Sequence, residues 1–162
     1  MNSGLVMYDE EFRAITAVCE HLCRDANANV VFLVDKNGQL ITSSGHAKGE
    51  LDTTSLASLT AGNVAAMGGL AKLIGEREFP TQFHEGERES LHMSIVAGRV
   101  VLVVVFDARS SLGLVRLRVK KASEEIGRVL EKVAKRQAST AAQSPFAEIT
   151  DEDIDNLFSD RS

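Results

Sequence analysis

The sequence has little that would staple, span or react. Two cysteines, two prolines, one tyrosine and no tryptophan occur in 162 residues, and no uninterrupted apolar run reaches the twenty or so residues that a membrane helix requires. Met1, Asn2, Ser3 and Gly4 lead towards an acidic stretch, not into the basic flank and apolar core of a signal peptide. A cytoplasmic protein without a membrane span is expected. Cys19 and Cys23 stand four apart in a helical apolar pattern, an awkward geometry for a disulfide within one helix, so they read as small core residues in a reducing compartment. His21, His46, His84 and His92 form no array at metal-ligand spacing, and no metal is expected.

The body also lacks an excess charge of either sign. Between Pro145 and Ser162 lie six acids (Glu148, Asp151, Glu152, Asp153, Asp155 and Asp160) against Arg161, which accounts for the whole net charge of −5. The preceding 144 residues carry seventeen charges of each sign. A neutral body argues against general nucleic-acid affinity, and a separately charged end argues for a segment with its own role. The length fits one domain able to bury a core without staples.

Catalytic motifs are missing as well. Gly62, Gly68, Gly69 and Lys72 are mis-spaced for a phosphate loop and sit in a helical pattern; neither G-x-G-x-x-G nor G-x-S-x-G occurs. No nucleophile, base and orienter can be assembled, so no catalytic residue and no cofactor is assigned. His92 is expected to face solvent. Arg109 lies in the turn before the last helix and could serve as a phosphoryl-stabilising finger, but pairing with Asp107 or with solvent is the simpler role.

What is present is an alternation of helices and strands. Tyr8, Phe12, Ile15, Cys19, Leu22 and Ala26 form one helical stripe behind an acidic first turn. Val30 to Val34, then Asn37-Gly38, then Leu40 to Thr42 read as a hairpin, because both turn residues tolerate positive φ. Asp52 or Thr53 caps a second helix that ends near Ile74 and Gly75. After Pro80 come strands at 81–87, 91–95 and 100–106, joined by short turns suited to antiparallel pairing. A third long helix follows Ser111, with Val115, Val119, Ala122, Ile126, Val129 and Val133 on its core stripe. The pattern predicts an α+β fold: a five-stranded antiparallel sheet between helices, its two wholly apolar strands central and its polar strands nearer an edge. Residues 1–137 form the domain, 138–144 a flexible linker by composition, and 145–162 the acidic tail.

The second helix is unusual, since Thr53 to Ala71 contains no charged residue. At ~100° per residue, Leu56, Leu59, Met67, Leu70 and Ile74 cluster and are assigned to the core. Asn63 falls on that same side, so a buried hydrogen-bond partner is expected for it unless the helix phase is different. The other side is Thr54, Ser58, Ala61, Ala65, Gly68, Gly69 and Lys72. Small uncharged residues there allow close approach of another backbone, which points to a protein-protein surface. The tail offers a second contact. Thr150-Asp151-Glu152-Asp153 has the form of a capping box, and Ile154, Leu157 and Phe158 follow at i, i+3 and i+4, the pattern of a short amphipathic helix that folds on a groove rimmed by basic residues.

The stretches VVFLVDKNGQLI, DTTSLASLTAGNVAAMGGLAKLIGE and VVLVVVFDARSSLGLVRLRVKKA resemble the Roadblock / dynein light chain family, with a match from Leu5 to Phe158. ASLTAGNVAAMGGLAKLIGE, and PFAEI followed by DIDNLF, are similar to a bacterial branch that acts on a Ras-like GTPase. The resemblance implies a homodimer whose sheets join across an edge and whose second helices lie side by side, two subunits presenting a platform to one GTP-bound GTPase. It implies a regulator without an active site of its own, accelerating GTP hydrolysis by reshaping the switch regions instead of donating an arginine. It also implies a role in cell polarity and gliding motility, concentration at a cell pole, and a C-terminal helix that contacts the GTPase away from the nucleotide and affects exchange. Carried onto this sequence, the interface falls on Ala61, Ala65, Gly69 and Lys72, and the distal contact on Ile154, Leu157 and Phe158. An adaptor using the same surface without altering hydrolysis is the alternative; a small-molecule sensor is disfavoured by central strands with few polar groups.

Overall fold

A computed structural model describes residues 5–46 and 51–142 of the chain. The elements are α1 (Asp9–Asp25), β1 (Val30–Asp35), β2 (Leu40–Gly45), α2 (Thr53–Leu73), β3 (Thr81–Glu85), β4 (Glu89–Val96), β5 (Val100–Asp107) and α3 (Leu112–Ala142). The five strands form one antiparallel sheet in the order β2-β1-β5-β4-β3. This is the expected α+β arrangement, and the two continuous apolar strands, β1 and β5, lie inside it, pairing Val30 with Val105 and Leu33 with Leu102.

Alternate residues of β1 and β5 supply both faces of the sheet, and each face is covered. Val31, Leu33, Leu102 and Val104 pack under α1 and α3 with Ile15, Cys19, Val119 and Ile126. Val30, Phe32, Val101 and Val103 pack under α2 with Ala57, Leu56 and Val64. A strand buried on both sides has no polar alternation to show, which is why these two read as unbroken Val, Leu and Phe runs.

Local chemistry fixes the turns. Asp35 Oδ1 accepts the backbone amides of Asn37 and Gln39, each at 2.9 Å, closing the β1–β2 turn. Gly38 takes a φ of +91°, and a Cβ there would stand 3.4 Å from the Ser58 Cα and 3.6 Å from the Ala61 Cβ, so this turn rests directly on α2. Of the two turn residues expected to tolerate positive φ, only Gly38 adopts it. The β4–β5 turn instead carries positive φ at Ala97 (54°) and Gly98 (65°).

Several expectations are corrected. His92 does not face solvent; it is 2% exposed, beneath α3 with Ser94, because the even-numbered residues of β4 point to the α1/α3 side. Burial, and then the nearby Arg116, push its pKa down. Tyr8 and Phe12 lie at the open end of the α1 stripe and stay partly exposed; the Arg136 guanidinium of α3 stacks 3.6 Å from the Tyr8 ring centroid, pairs with Glu11 and donates to the Val6 carbonyl at 2.7 Å. Residues 138–142, read from composition as linker, continue α3. Alanine is the strongest helix former, and extending an existing helix adds a hydrogen bond per residue without a nucleation penalty. The tail residues Ile154, Leu157 and Phe158 lie outside the described residues.

Candidate partner-binding face

The Asp52 carboxylate caps α2, accepting the Ser55 amide at 3.0 Å and the Ser55 hydroxyl at 2.6 Å; these bonds hold its pKa below the ordinary carboxylate value. From there the helix phase differs from the expected one. The side against the sheet is Ala57, Thr60 and Ala71, with Leu56 and Val64 partly buried beside them. Small residues let the helix axis lie close to the sheet. Of the five bulky residues assigned to the core, Leu56 packs there and Met67 is half-buried, but three point outward: Leu59 is 73% exposed, Leu70 50% and Ile74 70%, and Leu73 joins them at 83%. Asn63 is consistent with this, since its Oδ1 is buried with no hydrogen-bond partner among the described residues. The periodicity misled because apolar residues run nearly all round α2, and a helix of that kind is covered on more than one side. The signal available in sequence was the absence of charge over Thr53 to Ala71.

The outward ridge therefore consists of Leu59, Leu70, Leu73 and Ile74, with Gly62 and Ala66 between them. Nothing lies within 4 Å of a Cβ built at Gly62, Gly68 or Gly69, so no part of the described chain occupies the space beside them.

The flank next to this ridge is a cleft of about 400 Å³ between α2 and the β3 edge of the sheet. All four residues expected to contact a partner line it: Ala61, Ala65, Gly69 and Lys72. Sequence reasoning missed its cationic rim, to which the β1–β2 turn contributes Lys36 and the segment after α2 contributes Arg77. The Lys36 Nζ lies 4.0 Å from Glu78 Oε2, at the outer limit of an ion pair. The cleft thus has an apolar and small-residue floor with lysine and arginine at its mouth.

A larger cavity of about 640 Å³ lies at the end of the sheet where α1 stops, lined in part by Arg24, Asn27, Asn29, His46 and Arg109. Asn27, Asn29 and Arg109 on its wall are tied into one hydrogen-bond network, whereas the buried Ser44 hydroxyl has no partner among the described residues. Asn29 donates to Glu89 Oε1 at 3.0 Å and Asp107 Oδ2 at 3.1 Å and accepts from Arg109 Nη2, while Asn27 donates to the Arg109 carbonyl at 2.7 Å. Arg109 pairs with Asp107, the simpler of its two expected roles. Neither cysteine is poised for chemistry: Cys19 is pushed up to about 12 by burial and then by Cys23 and Glu20, and Cys23 is raised by burial. Among the described residues no three His, Cys, Asp or Glu side chains are grouped to hold a metal, and no helix is long and apolar enough to cross a membrane.

Residues 15–106, from within α1 to the end of β5, match the family model of the Roadblock/LC7 domain. The chain belongs to the Roadblock/LC7 family. Within it, the similarity is to MglB proteins. Myxococcus xanthus MglB is 70% identical over 80% of this chain and 96% of its own, with a TM-score of 0.75. The gliding protein MglB of Thermus thermophilus is 34% identical over 82% and 99% of the two chains, with a TM-score of 0.76. An MglB solved in a tetrameric arrangement is 32% identical over 82% of this chain and 99% of its own, with a TM-score of 0.77. Comparison with curated proteins returned no match. In this Roadblock domain the uncovered α2 face stands opposite the α1/α3 layer, so a partner can reach it without disturbing the larger of the two cores.

Proposed function

We propose that this Roadblock protein is an MglB-type activator of the Ras-like GTPase MglA, binding the GTP form as a homodimer with two subunits to one GTPase. The observation that carries this reading is the α2 face: four large apolar side chains exposed on one helix, with open space at its glycines. An uncovered apolar surface of this kind marks a protein-protein site. The Leu59, Leu70, Leu73 and Ile74 ridge packs the second helices of two protomers together, and the β3 edge joins their sheets. The adjoining cleft, with Ala61, Ala65, Gly69 and Lys72, then faces the GTPase.

The mechanism in this reading is indirect. Arg109, the candidate for a donated arginine, is held by Asp107 and Asn29 in the polar network where α1 stops. Acceleration therefore comes from fixing the GTPase switch segments so that its own groups align on the nucleotide, the positioning component of phosphoryl-transfer catalysis. The chain acts as a regulator without catalytic residues, cofactor or metal, works in the cytoplasm with concentration at a cell pole, and serves cell polarity and gliding motility. Its tail residues Ile154, Leu157 and Phe158 contact MglA away from the nucleotide and modulate exchange.

Single-turnover phosphate release from GTP-loaded MglA tests the reading. The rate should rise with added protein and fall back when Ala65→Arg is used. Binding without a change in rate would instead identify an adaptor.

A further inference from the structure

A groove of about 340 Å³ runs between α3 and the β3/β4 edge, on the sheet face opposite α2. Pro80 and Val119 give it an apolar floor beside His92 and Ser94 of β4, and Arg116 and Lys120, one helical turn apart, form its rim. Beside it Leu117 is 63% exposed, set among Arg116, Arg118, Lys120 and Lys121. An apolar surface ringed by bases is the shape and charge that an acidic amphipathic helix requires.

The chain itself supplies such a segment. Residues 145–162 hold the net charge of −5, with Ile154, Leu157 and Phe158 at helical spacing among Asp151, Glu152, Asp153 and Asp155. α3 carries eight Lys or Arg against three Glu, an excess of the opposite sign and equal size. The tether is long enough. Lys120 lies about 33 Å back along α3 from Ala142 at ~1.5 Å per residue. Residues 143–150 extended reach up to about 28 Å, and a helix over 151–158 adds about 12 Å, so a tail folded back antiparallel to α3 spans the distance.

We infer that the acidic tail of this chain docks in its own α3 groove, placing Ile154, Leu157 and Phe158 against Pro80, Val119 and Leu117 with the tail carboxylates facing Arg116 and Lys120. Held there, the three apolar residues are withdrawn from any other partner, and release of the tail becomes a controlled step. The inference is independent of the reading of α2, and its test contains no GTPase.

The test is paramagnetic broadening in the full-length protein, with a nitroxide on Asn156→Cys; native Cys19 and Cys23 are buried and stay unlabelled. Amide signals of Ile95, Leu117, Val119 and Lys120 should lose intensity, and should recover in the Arg116→Glu/Lys120→Glu variant and at about 1 M salt, where the Debye length is about 3 Å. Equal melting temperatures of variant and parent show that recovery is not unfolding. Undiminished signals, or a loss that survives charge reversal, overturn the proposal. The same loss in isotopically labelled chains mixed with separate nitroxide-bearing chains places the tail on a second copy and overturns the same-chain assignment. Undiminished signals that broaden only on addition of phosphatidylserine vesicles identify a lipid-binding face and likewise overturn it.

Discussion

Arg109 Nε donates to Asp107 Oδ1 at 3.1 Å, and the Arg109 backbone amide donates to the same oxygen at 3.0 Å. One carboxylate oxygen thus holds both ends of the arginine, and Asn29 Nδ2 occupies the other oxygen. An arginine engaged in this way orders the β5–α3 turn, and in the proposed mechanism it is not the group that stabilises the transferring phosphoryl. A donated arginine is worth about 10³–10⁵ in hydrolysis rate. Arg109→Ala should therefore lower the melting temperature yet change the stimulated rate of MglA by less than about tenfold, read in a single-turnover assay of the folded variant.

The same contact gives a pH dependence. Hydrogen bonds from the Arg109 side chain, then its backbone, then Asn29, lower the Asp107 pKa to about 2. A folded-state pKa below the unfolded value means that the unfolded chain binds the extra proton. The contribution is present above the unfolded carboxylate pKa of about 3.9 and is lost as pH falls through about 2. Asp107→Asn should flatten the fall in stability between about pH 4 and pH 2, measured by denaturant titration at stepped pH.

Asn29 is 8% exposed and joins Glu89, Asp107 and Arg109 across two strands and a loop. Asn29→Ala removes donors from two acceptors and an acceptor from a guanidinium. It should destabilise the fold by roughly 2–3 kcal/mol, with an unchanged far-ultraviolet spectrum below the transition.

Ala97 takes a φ of 54°, which an L-residue adopts at some expense and glycine does not. Ala97→Gly should stabilise the β4–β5 hairpin by roughly 0.5–1 kcal/mol in thermal melts, and Ala97→Val should destabilise it.

Gly68 and Gly69 lie within α2, where alanine is favoured over glycine by roughly 1 kcal/mol, and a Cβ at either meets nothing within 4 Å. Gly69→Ala should raise the melting temperature of the isolated protein, whereas Gly69→Arg should leave the helix formed and block the GTPase at the cleft. Glycine at that place gives up intrinsic stability, as expected where a surface is shaped for a partner.

The strands and the outer helices are readable because each carries a single periodic signal: Val30 to Val34 and Val100 to Phe106 are covered on both faces, and Ile15, Cys19 and Leu22 repeat along one side of α1. α2 is not readable in the same way. Its Leu59, Leu70 and Ile74 point to the core by periodicity alone, yet they are exposed in the described chain, so periodicity credits burial to the wrong side. The small residues Ala61, Ala65 and Gly69 do share one cleft with Lys72. Lys36 and Arg77 escape a sequence reading because they reach that cleft from other segments, and only the fold brings them there. His92 is misplaced for a related reason: β4 alternates, but α3 covers the side that its polar residues occupy.

The central claim is that the α2 cleft, acting through contact alone, accelerates GTP hydrolysis by the partner. Phosphate release from GTP-loaded MglA under single-turnover conditions, with the parent protein, Ala65→Arg and Arg109→Ala compared at saturating concentration, tests it most directly. The account predicts full stimulation by the parent, near-full stimulation by Arg109→Ala and a basal rate with Ala65→Arg; stimulation retained by Ala65→Arg but lost in Arg109→Ala would contradict it.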